Sequence, residues 1–346
     1  MIPGLASIIV LNWNGKNVIF DCLDSLLAQP YAQKEIILVD NGSRDGSLEM
    51  IREKYSGRIK IIENPENLGF AGGCNTGMRA SQGEWIALIN SDSTVEKNWI
   101  EEMIKGIRQS VSIGMVACKI YFWGKDKVLE NTGQIISRDG LGRTRGRLEK
   151  DTGQYDHRSA VLCPSGCAAL YRRSMLDLTG FFDEKFFAYA DDIDIGLRGR
   201  LAGYKCFYVP EAVAYHKLSA SFGLLSPFKA FLVERNRLWV VIKCFPRRHL
   251  LVAPFHTVAR YFFHLYGIFG HKGPAARYVE KISLISLLWI MVRVYLSTLW
   301  FLPHLIKERF QIKKNTRTTP KQFELWLKQY GLTDRQAALN EISYED

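Results

Sequence analysis

The sequence predicts an α/β fold, in which helices flank a mostly parallel sheet, followed by a helical C-terminal region. Three apolar runs of the buried-strand type lie at residues 5–12, 35–40 and 59–63. Amphipathic helical patterns separate them, at about 18–29 and 47–55. This β-α-β-α-β alternation is typical of a parallel sheet with helices on its faces.

Composition and charge narrow the class of protein. The 346 residues are 47% hydrophobic and 23% charged, which is ordinary for one large or two modest globular domains. Residues 1–216 carry 26 Lys/Arg and 27 Asp/Glu, whereas residues 217–346 carry 20 and 8, a net charge of +12. The basic excess therefore accompanies the longest apolar runs, which favours an anionic membrane surface over nucleic acid as a partner. Nucleic acid is also disfavoured because the aromatic residues lie within apolar helical segments.

The cysteines and the start of the chain indicate a reducing compartment. Seven cysteines occur at irregular spacings, and the CPSGC run at 163–167 lacks the paired CxxC spacing of a zinc site. We expect buried free thiols. Because no basic segment followed by an apolar stretch opens the chain, we expect a protein that is not exported.

Polar side chains close the predicted strands. Asn12, Asp40 and Asn64 fall at the carboxyl ends of the first three strands, where such sheets bind ligands. The glycine-rich run ENLGFAGGCNTG at 66–77 is predicted to form a loop that leads into a helix. Such a loop lets the backbone approach a diphosphate, although a run of this kind is more often only a tight connection.

A fourth apolar strand, at 85–89, leads directly into Asn90-Ser91-Asp92. A carboxylate at a strand end is a candidate ligand for Mg²⁺ or Mn²⁺, and Asp92 has that position. The alternative is an aspartate that forms a turn or caps the next helix, predicted at 97–109.

The most carboxylate-rich segment follows the aromatic run at 186–189. Asp191, Asp192 and Asp194 begin a helical pattern there. An aromatic wall raises the pKa of a carboxyl group and suits it to general-base work. Acidic residues also stabilise the first turn of a helix, and Asp194 with Arg198 has i,i+4 spacing, so a purely structural interpretation stays open.

The region between Lys119 and Gln154 has no clear pattern. Its Gly- and Arg-rich part at 140–147 fits either a mobile loop whose arginines meet a diphosphate or a solvated basic loop. The CPSGCAALYRR run then predicts a turn and a buried strand. A later short strand ends at His216, which by itself is more often a satisfied histidine than a ligand.

The C-terminal region contains the two most apolar helical patterns, at 250–269 and 282–302, each close to the length of a membrane span. Each contains a central arginine, Arg260 or Arg293, and an arginine at a bilayer centre costs roughly 2.5–3.5 kcal/mol. We therefore expect helices that pack on each other and lie in the membrane interface rather than simple spans. A soluble helical subdomain or a dimer interface is the alternative. The basic residues expected to face anionic lipid are Lys307, Arg309, Lys313 and Lys314.

In this order, the motifs resemble those of glycosyltransferase family 2, whose GT-A fold has a Rossmann-like, mostly parallel sheet flanked by helices. The resemblance covers roughly residues 5–240. Within the family, the runs of the type VDNxSxDGS and NxGFAGGxN are most similar to bacterial rhamnosyltransferase-like enzymes of cell-surface polysaccharide assembly. The matching pieces are SIIVLNWNGK at 7–16, VDNGSRDGS at 39–47, ENLGFAGGCNTG at 66–77, LINSDS at 88–93, CPSGCAALYRR at 163–173 and FDEKFFAYADDIDIGLR at 182–198.

The resemblance implies a role for each matching residue. Asp92 ends a DxD-like motif and would bind the divalent cation, while Asn90 replaces the first aspartate of that motif. Asp191-Asp192 matches the Glu-Asp pair of the family, with Asp192 in the position of the catalytic base. His216 matches a histidine of the metal or diphosphate site. The implied nucleotide and donor contacts are Asn12, Trp13, Asn14, Asp40, Asn41, Asn67, Phe70, Ala71, Gly72, Asn75, Asn90 and Ser91.

The resemblance also implies the organisation and the activity. We expect a catalytic domain at 1–217 and a basic, apolar helical region at 218–346 that ends in a polar tail from 315. The expected protein is an inverting, metal-dependent, non-processive glycosyltransferase at the cytoplasmic face of the membrane, either peripheral or monotopic. Its expected donor is dTDP-L-rhamnose, and its expected acceptor is a polyprenyl-diphosphate-linked saccharide. A homo-oligomer is compatible with the sequence.

Several other functions stay open or are disfavoured. A transferase with a UDP-hexose donor and a soluble acceptor is one alternative, and a nucleotidyltransferase on a similar α/β fold is another. The latter would require a glycine- and basic-rich N-terminal loop, which SIIVLNWNGK is not. A chain-elongating synthase is disfavoured because the QxxRW motif of processive members is absent, and a non-catalytic scaffold is disfavoured because the acidic pair is present.

Overall fold

The computed structural model shows two compact units. The residues that it describes are 1–218, 226–281 and 283–339. The two units comprise Met1–Gly133 with Thr144–Ser219, and Gln134–Arg143 with Ala220–Asp346. The short segment 134–143 therefore clusters with the helical unit, although it lies within the N-terminal part of the chain.

The secondary structure follows the predicted alternation in the N-terminal half and is helical at the C-terminus. The strands are β1 (Ile2–Asn12), β2 (Lys34–Asp40), β3 (Lys60–Glu63), β4 (Gly83–Asn90), β5 (Ser93–Val95), β6 (Ile113–Phe122), β7 (Leu129–Asn131), β8 (Gln134–Ser137), β9 (Gly142–Thr144), β10 (Ser159–Val161), β11 (Ala168–Arg172), β12 (Lys205–His216) and β13 (Gly331–Leu332). The helices are α1 (Ile19–Leu27), α2 (Ser47–Tyr55), α3 (Gly69–Ala80), α4 (Trp99–Arg108), α5 (Arg173–Thr179), α6 (Asp191–Leu201), α7 (Pro227–Cys244), α8 (Arg247–Phe269), α9 (Gly273–Lys281), α10 (Leu284–Trp300), α11 (Leu302–Asn315), α12 (Pro320–Gln329) and α13 (Asp334–Leu339).

The first unit is built on one mixed sheet, whose main path runs β10-β12-β6-β11-β4-β1-β2-β3. Strand β1 pairs in parallel with β2 and β4, β2 with β3, and β6 with β12. Strand β11 runs antiparallel between β4 and β6, so β6 and β12 return to the direction of β1. Six of the eight strands on this path therefore share a direction, which confirms the predicted mostly parallel sheet.

The register of the sheet brings the polar strand ends together. Asn12 of β1 is in register with Asp40 of β2, and Leu11 is in register with Asn90 of β4. The apolar core packs between the sheet and helices α1, α2 and α4. All seven cysteines are buried and free, as predicted.

The glycine-rich run forms a helix rather than the predicted loop. Helix α3 begins at Gly69 and contains the glycines that follow. A Cβ atom on Gly73 would overlap Leu11 of β1, and one on Gly77 would lie 2.5 Å from Ile9. The missing side chains therefore let α3 pack closely on the sheet. The loop prediction was wrong because these glycines serve helix–sheet contact.

The acidic segment begins helix α6 at Asp191, as its pattern predicted. The backbone that precedes the helix has positive φ at three non-glycine residues, namely Phe187 (66°), Tyr189 (69°) and Ala190 (59°). Each such residue costs about 1–3 kcal/mol and is found mainly at functional sites. The Ala71 amide donates a hydrogen bond to the Phe187 carbonyl at 3.1 Å and holds this loop against α3.

The second unit combines helices α7–α13 with a small sheet of β8, β9 and β13. Helices α8 and α10 were predicted to pack on each other. Instead, α8 packs mainly on α9 and α13, and α10 packs mainly on α7. The two helices touch where the Tyr261 hydroxyl lies 3.7 Å from the Met291 sulfur. The prediction was wrong in this respect because the inner face of α8 is polar and packs around an ion cluster.

That ion cluster explains the central arginine of α8. The Arg260 guanidinium donates to Asp139 Oδ2 at 2.6 Å and to both oxygens of Glu234 at 3.0 Å. Arg237 donates to Glu234 at 2.6 Å, and Tyr261 donates to the same carboxylate at 2.8 Å. Burial raises the pKa of Glu234, yet Arg237 and Arg260 hold it well below its usual value. Buried Asp139, Arg237 and Arg260 thus meet the partly exposed Glu234, and the two positive and two negative charges balance.

The described helices give a limited membrane signal. No single one is both long and apolar enough to cross a bilayer, whereas Ile285–Trp300 and Leu302–Asn315, bent by 61° at their junction, meet that test only as a pair. Arg309 of α11 does not face outward as predicted. Its guanidinium donates to the carbonyls of Ile242 and Phe245 at 2.6 and 2.7 Å, and so satisfies the C-terminal end of α7.

Replacing one member of the ion cluster should destabilise the second unit. We expect Asp139→Asn to lower the free energy of unfolding by about 3–5 kcal/mol, because two buried guanidinium groups then share the single carboxylate of Glu234. Urea unfolding followed by tryptophan fluorescence measures the change. The matched control is Asp126→Asn, which removes the exposed partner of Lys150 and should leave the midpoint unchanged. Equal midpoints for the two variants would show that the cluster does not stabilise the unit.

Candidate active site

A buried polar network closes the carboxyl ends of β1 and β2. The Asn12 amide donates to Asp40 Oδ1 at 2.9 Å and to the hydroxyls of Ser43 and Ser47 at 3.2 and 3.0 Å. Asp40 also accepts the Ser43 amide hydrogen at 3.0 Å, so it holds its own turn. Within the described chain, the buried Oδ1 of Asn12 has no hydrogen-bond partner. A buried acceptor of this kind indicates a donor supplied by a ligand or water.

A second asparagine network fixes the approach to α3. The Asn41 side chain donates to Asn67 Oδ1 at 2.9 Å and to the Gly69 carbonyl at 3.1 Å. Its oxygen accepts from the Asn64 amide at 3.0 Å and from the Leu68 backbone at 3.2 Å. Asn41 and Asn67 therefore fix the backbone at the start of α3 through bonds within the protein.

Trp13 and Asn14 follow the first network at the end of β1. Trp13 is half-buried and Asn14 is exposed. Asn14 has a positive φ of 52°, and its side chain accepts the Arg44 amide hydrogen at 2.8 Å. Its own backbone amide donates to the Ser43 hydroxyl at 2.9 Å. The two predicted nucleotide contacts thus lie on the solvent side of the Asn12 network.

The predicted donor contacts on α3 have different surroundings. Asn75 is buried and donates to the Phe182 carbonyl and to Glu184, at 2.9 and 3.0 Å. It also accepts the Phe182 amide hydrogen at 3.0 Å, so its side chain holds the loop before α6. The half-buried Phe70 ring packs edge-on against Phe182, with centroids 5.7 Å apart. The other two predicted contacts are buried inside α3, namely Ala71 and Gly72.

Asp92 and His216 meet, as the resemblance implied. Pairing of β5 with β12 places Ser93 in register with His216. Asp92 Oδ1 lies 3.1 Å from His216 Nε2, and the other imidazole nitrogen, Nδ1, lies 2.9 Å from Glu130 Oε2. Arg147 lies 3.3 Å from the second oxygen of Glu130. The result is a row of side chains with alternating charge, which runs from Arg147 through Glu130 and His216 to Asp92.

The charges around His216 favour its protonated form. Burial alone lowers the pKa of His216, but the neighbouring Cys167, Glu130 and Asp92 raise it well above its usual value. Burial likewise raises the pKa of Glu130, yet His216 and Arg147 hold it below its usual value. Within the protein alone, the imidazolium is therefore held between two carboxylates.

The donor atoms of this cluster fit a divalent cation. A carboxylate oxygen and an imidazole nitrogen are suitable ligands for Mn²⁺, and carboxylates also suit Mg²⁺. Glu130, Cys167 and His216 offer ligand atoms within 4.8 Å of one another. The Cys167 sulfur lies 3.3 Å from the Ser93 hydroxyl, and burial raises the pKa of its thiol, which disfavours the thiolate that a metal needs. Asp92 and His216 are thus the residues that would hold an ion, which would replace the proton on His216 Nε2, and Glu130 would orient the imidazole.

Asp191 and Asp192 differ in their surroundings. Asp191 is buried, and among the described residues its Oδ2 has no hydrogen-bond partner. Burial, followed by the neighbouring charge of Asp192, raises the pKa of Asp191 well above its usual value. Asp192 is half-buried and accepts from the Gly166 amide at 3.2 Å and from the Ile193 amide at 2.8 Å. Burial thus favours the protonated form of Asp191, whereas Asp192 is the more exposed carboxylate of the pair.

The third carboxylate of the segment is structural. Asp194 accepts from Arg198 Nε at 2.8 Å, and both side chains are buried. Arg198 also donates to the carbonyls of Gly180 and Phe181 at 2.9 and 2.7 Å. The predicted i,i+4 pair is confirmed, and it fixes the start of the strained loop to the body of α6.

One turn joins the acidic pair to the Asp92–His216 cluster. Gly166 donates its amide hydrogen to Asp192, and the next residue, Cys167, belongs to the His216 cluster. The Cys167 carbonyl accepts the Asn90 amide hydrogen at 2.9 Å, and the half-buried Ser91 follows. Because consecutive Cα atoms are about 3.8 Å apart, the two clusters lie on either side of this single turn.

The arginine-rich segment fits neither predicted interpretation. Arg145 donates to the hydroxyl and the carbonyl of Thr132 at 3.0 and 2.7 Å. Arg147 pairs with Glu130. The two arginines therefore belong to the protein framework rather than to a free loop.

Glu130 is one of three site residues that the sequence analysis did not identify. It lies in LENTG, which matches no motif, and it reaches His216 only because β7 pairs with β6. The missed Ser43 and Ser47 lie in VDNGSRDGS, and the position of this run after a strand end could have indicated them.

Comparison with protein families decides the family. The model described as glycosyl transferase family 2 matches residues 7–179, which is half of the chain. The chain belongs to glycosyl transferase family 2. The predicted family is therefore confirmed, whereas the residue roles stay predictions.

Curated relatives match only in part. The chain is 28% identical over 233 residues to the uncharacterized protein y4gI of Sinorhizobium fredii, covering 63% of this chain and 25% of that protein. It is 35% identical over 102 residues to an uncharacterized glycosyltransferase of Haemophilus influenzae, covering 29% and 32%. It is 24% identical over 218 residues to poly-beta-1,6-N-acetyl-D-glucosamine synthase of Staphylococcus epidermidis, covering 63% and 51%. The aligned part thus spans from a quarter to about half of these relatives.

Solved structures support the fold. The mannosyltransferase PcManGT from Pyrobaculum calidifontis, in complex with GDP-Man and Mn²⁺, has a TM-score of 0.52 at 16% identity, covering 90% of this chain and 85% of its own. TarS 1–349 of S. aureus, in complex with UDP, has a TM-score of 0.55 at 18% identity, covering 93% and 91%. GalNAc-T7 with UDP, GalNAc and Mn²⁺ reaches 0.59 at 15%, covering 75% and 50%. These likenesses confirm the predicted GT-A fold.

Substitutions of Asp92 and Glu130 test the proposed metal site. We expect Asp92→Ala to abolish Mn²⁺-dependent binding of UDP or dTDP in calorimetry, because it removes the carboxylate ligand. Glu130→Ala should weaken Mn²⁺ affinity about 10–100-fold, which is the usual effect of losing a residue that orients a ligand. Glu130→Gln, which retains an oxygen acceptor, should recover part of this loss. Asp156→Asn is the control carboxylate, since it pairs with Lys119 outside the cluster. Unchanged Mn²⁺ affinity in Glu130→Ala would contradict the orienting role.

Proposed function

We propose that this protein is an inverting, non-processive glycosyltransferase that uses a nucleotide-diphosphate sugar and a divalent cation. The observation that carries the proposal is the turn at Gly166-Cys167, which joins an accessible carboxylate to a buried Asp92–His216 cluster. Direct transfer of a sugar needs a proton acceptor near the attacking hydroxyl and positive charge near the departing diphosphate. The two sides of this turn supply the residues for both requirements.

Asp192 is the proposed general base. Its carboxylate would accept the proton of an acceptor hydroxyl while that oxygen attacks the anomeric carbon. The bond from this carbon to the diphosphate oxygen breaks, and the nucleoside diphosphate leaves with the electron pair. A single in-line displacement inverts the anomeric configuration and needs no covalent enzyme intermediate. The Gly166 and Ile193 amides, which donate to Asp192, would fix the direction of its carboxylate.

Asp191 has a different proposed task. Its burial raises its pKa and so disfavours a second negative charge beside Asp192. That arrangement resembles other carboxyl pairs in which the surroundings separate the two pKa values. We assign Asp191 to the support of Asp192 rather than to proton transfer.

Asp92 and His216 are the proposed holders of Mg²⁺ or Mn²⁺. When bound, the cation would supply positive charge for the diphosphate leaving group. The nucleotide would lie along the strand ends, on the solvent side of the buried Asn12 side chain. Asp40, Asn41 and the residues that follow β1 would shape this pocket.

The donor and the acceptor are finer proposals. We favour dTDP-L-rhamnose as donor and a polyprenyl-diphosphate-linked saccharide as acceptor, at the cytoplasmic face of a membrane, in cell-surface polysaccharide synthesis. The similarity of the VDNGSRDGS and NLGFAGGCN runs to rhamnosyltransferase-like enzymes supports the donor. The basic and apolar second unit supports the acceptor. A UDP-hexose donor with a soluble acceptor is the alternative. The 24% identity to a poly-beta-1,6-N-acetyl-D-glucosamine synthase is the reason to include UDP-hexoses in the donor screen below.

Replacement of the base should separate binding from transfer. We expect Asp192→Asn to lower the transfer rate at least about 100-fold, because an amide cannot accept the proton. Binding of the nucleoside diphosphate should remain nearly unchanged in calorimetry. The control is Asp177→Asn on the exposed side of α5, which should retain wild-type turnover. Near-normal turnover in Asp192→Asn would refute the assignment of the base.

A donor screen tests the reaction itself. The purified chain would be incubated with Mn²⁺, a polyprenyl-diphosphate saccharide and, in turn, dTDP-L-rhamnose, UDP-hexoses and GDP-mannose. We expect release of dTDP with the rhamnose donor and a sugar-extended lipid product. Turnover with a UDP-hexose and a soluble sugar would replace the favoured donor and acceptor. Release of pyrophosphate from a nucleoside triphosphate and a sugar phosphate would instead identify a nucleotidyltransferase.

A further inference from the structure

Helix α8 has its apolar side chains on the outside. Residues at spacings of three and four form a continuous exposed stripe, which consists of Leu251, Phe255, Val258, Phe262, Leu265 and Phe269. Phe255 is 74% exposed and Phe269 is 85% exposed. A surface helix of a soluble domain normally turns such a stripe toward the core. This helix therefore has the reverse arrangement.

The inner face of α8 explains the reversal. Its buried residues include Thr257 and Arg260, and Arg260 pairs with Asp139 and Glu234. Thr257 accepts from Arg237 at 3.2 Å. The polar contacts are buried and fix the rotation of the helix, so the aromatic and aliphatic stripe has to face outward.

Helix α10 repeats the arrangement. Its exposed apolar residues again follow spacings of three and four, namely Ile285, Leu288, Val292, Leu296 and Leu299. Its opposite side packs on α7, where the Trp239 indole donates to the Thr298 hydroxyl at 3.2 Å. The Arg293 guanidinium lies 5.0 Å from the ring centroid of Phe231 on α7. Two exposed tryptophans, Trp289 and Trp300, accompany this stripe.

The charge of the second unit indicates what covers these stripes. Residues 217–346 carry 20 basic and 8 acidic side chains. Lys307, Lys313 and Lys314 are exposed on α11, directly after α10. A second copy of the chain would bring the same positive charge to the contact, whereas an anionic lipid surface complements it. Tryptophans are enriched where apolar side chains meet lipid headgroups.

We propose that the outward apolar stripes of α8 and α10 form a docking face for an anionic lipid bilayer. The stripes would enter the boundary between headgroups and acyl chains, while the basic side chains contact anionic headgroups. The ion cluster around Arg260 stays within the protein, and no arginine has to cross the bilayer centre. The inference deepens the proposed location at a membrane, but its test needs neither donor, acceptor nor metal.

Vesicle sedimentation tests this face with the full chain. We expect the wild-type chain to bind vesicles of phosphatidylcholine with phosphatidylglycerol more tightly than vesicles of phosphatidylcholine alone. The double variants Phe255→Ser with Phe262→Ser, and Leu288→Ser with Leu296→Ser, should each lose at least about tenfold in vesicle affinity. Val111→Ser is the matched control, since Val111 is an exposed apolar residue of the first unit. Lys307→Glu with Lys313→Glu should remove the preference for anionic vesicles.

Two further measurements decide between outcomes. Thermal unfolding by circular dichroism verifies that each double variant folds like the wild type. Wild-type vesicle affinity in folded stripe variants would overturn the proposal. A second result would also overturn it: the wild type does not bind vesicles, light scattering shows that it is a dimer without lipid, and the stripe variants are monomers. Asp192→Asn should bind vesicles like the wild type. Vesicle sedimentation therefore reports on docking alone, and the transfer rate reports on the transferase assignment.

Discussion

The contact between helix α6 and the segment at residues 161–167 supports both halves of the candidate site. Gly196 has no side chain, and a Cβ atom there would overlap Cys163, so the helix lies directly on this segment. Arg200 donates to two backbone carbonyls of the segment and fixes it along the helix. Gly166 can then donate to Asp192, while the following cysteine reaches the histidine cluster. A shift of this contact would change the distance between the proposed base and the proposed metal ligands.

Buried charge has opposite consequences in the two units. In the first unit, the imidazole of His216 lies between Asp92 and Glu130, at a strand end where a ligand is expected. In the second unit, Arg260 and Glu234 belong to a cluster of two arginines and two carboxylates whose charges balance. Buried ion pairs contribute little net stability but fix geometry, because any other arrangement leaves a charge unpaired. The first cluster fixes the position of the proposed metal ligands, and the second fixes which face of helix α8 is buried.

Local patterns predicted much of the fold and site, because they depend on residues close in sequence. The alternation of apolar runs and amphipathic helices predicted the parallel strands, and the acidic run predicted the start of α6. The glycine-rich run was misjudged because glycine disfavours helices locally, while contact with Leu11 requires it here. Glu130 and the pairing of Arg145 with Thr132 depend on strand pairing across distant residues. No local pattern reports such contacts.

Two glycines of α3 allow this helix to lie close to the sheet. Gly73 and Gly77 face the sheet, whereas the first turn of the same helix carries Phe70 beside the loop that precedes Asp191. A methyl group added at either glycine would overlap sheet side chains and would push the helix away from the sheet. The position of Phe70 beside that loop therefore depends on two glycines on the opposite, sheet-facing side of the helix. Substitution at Gly73 or Gly77 would therefore move Phe70 and its contact with Phe182 without replacing any of the polar residues of the candidate site.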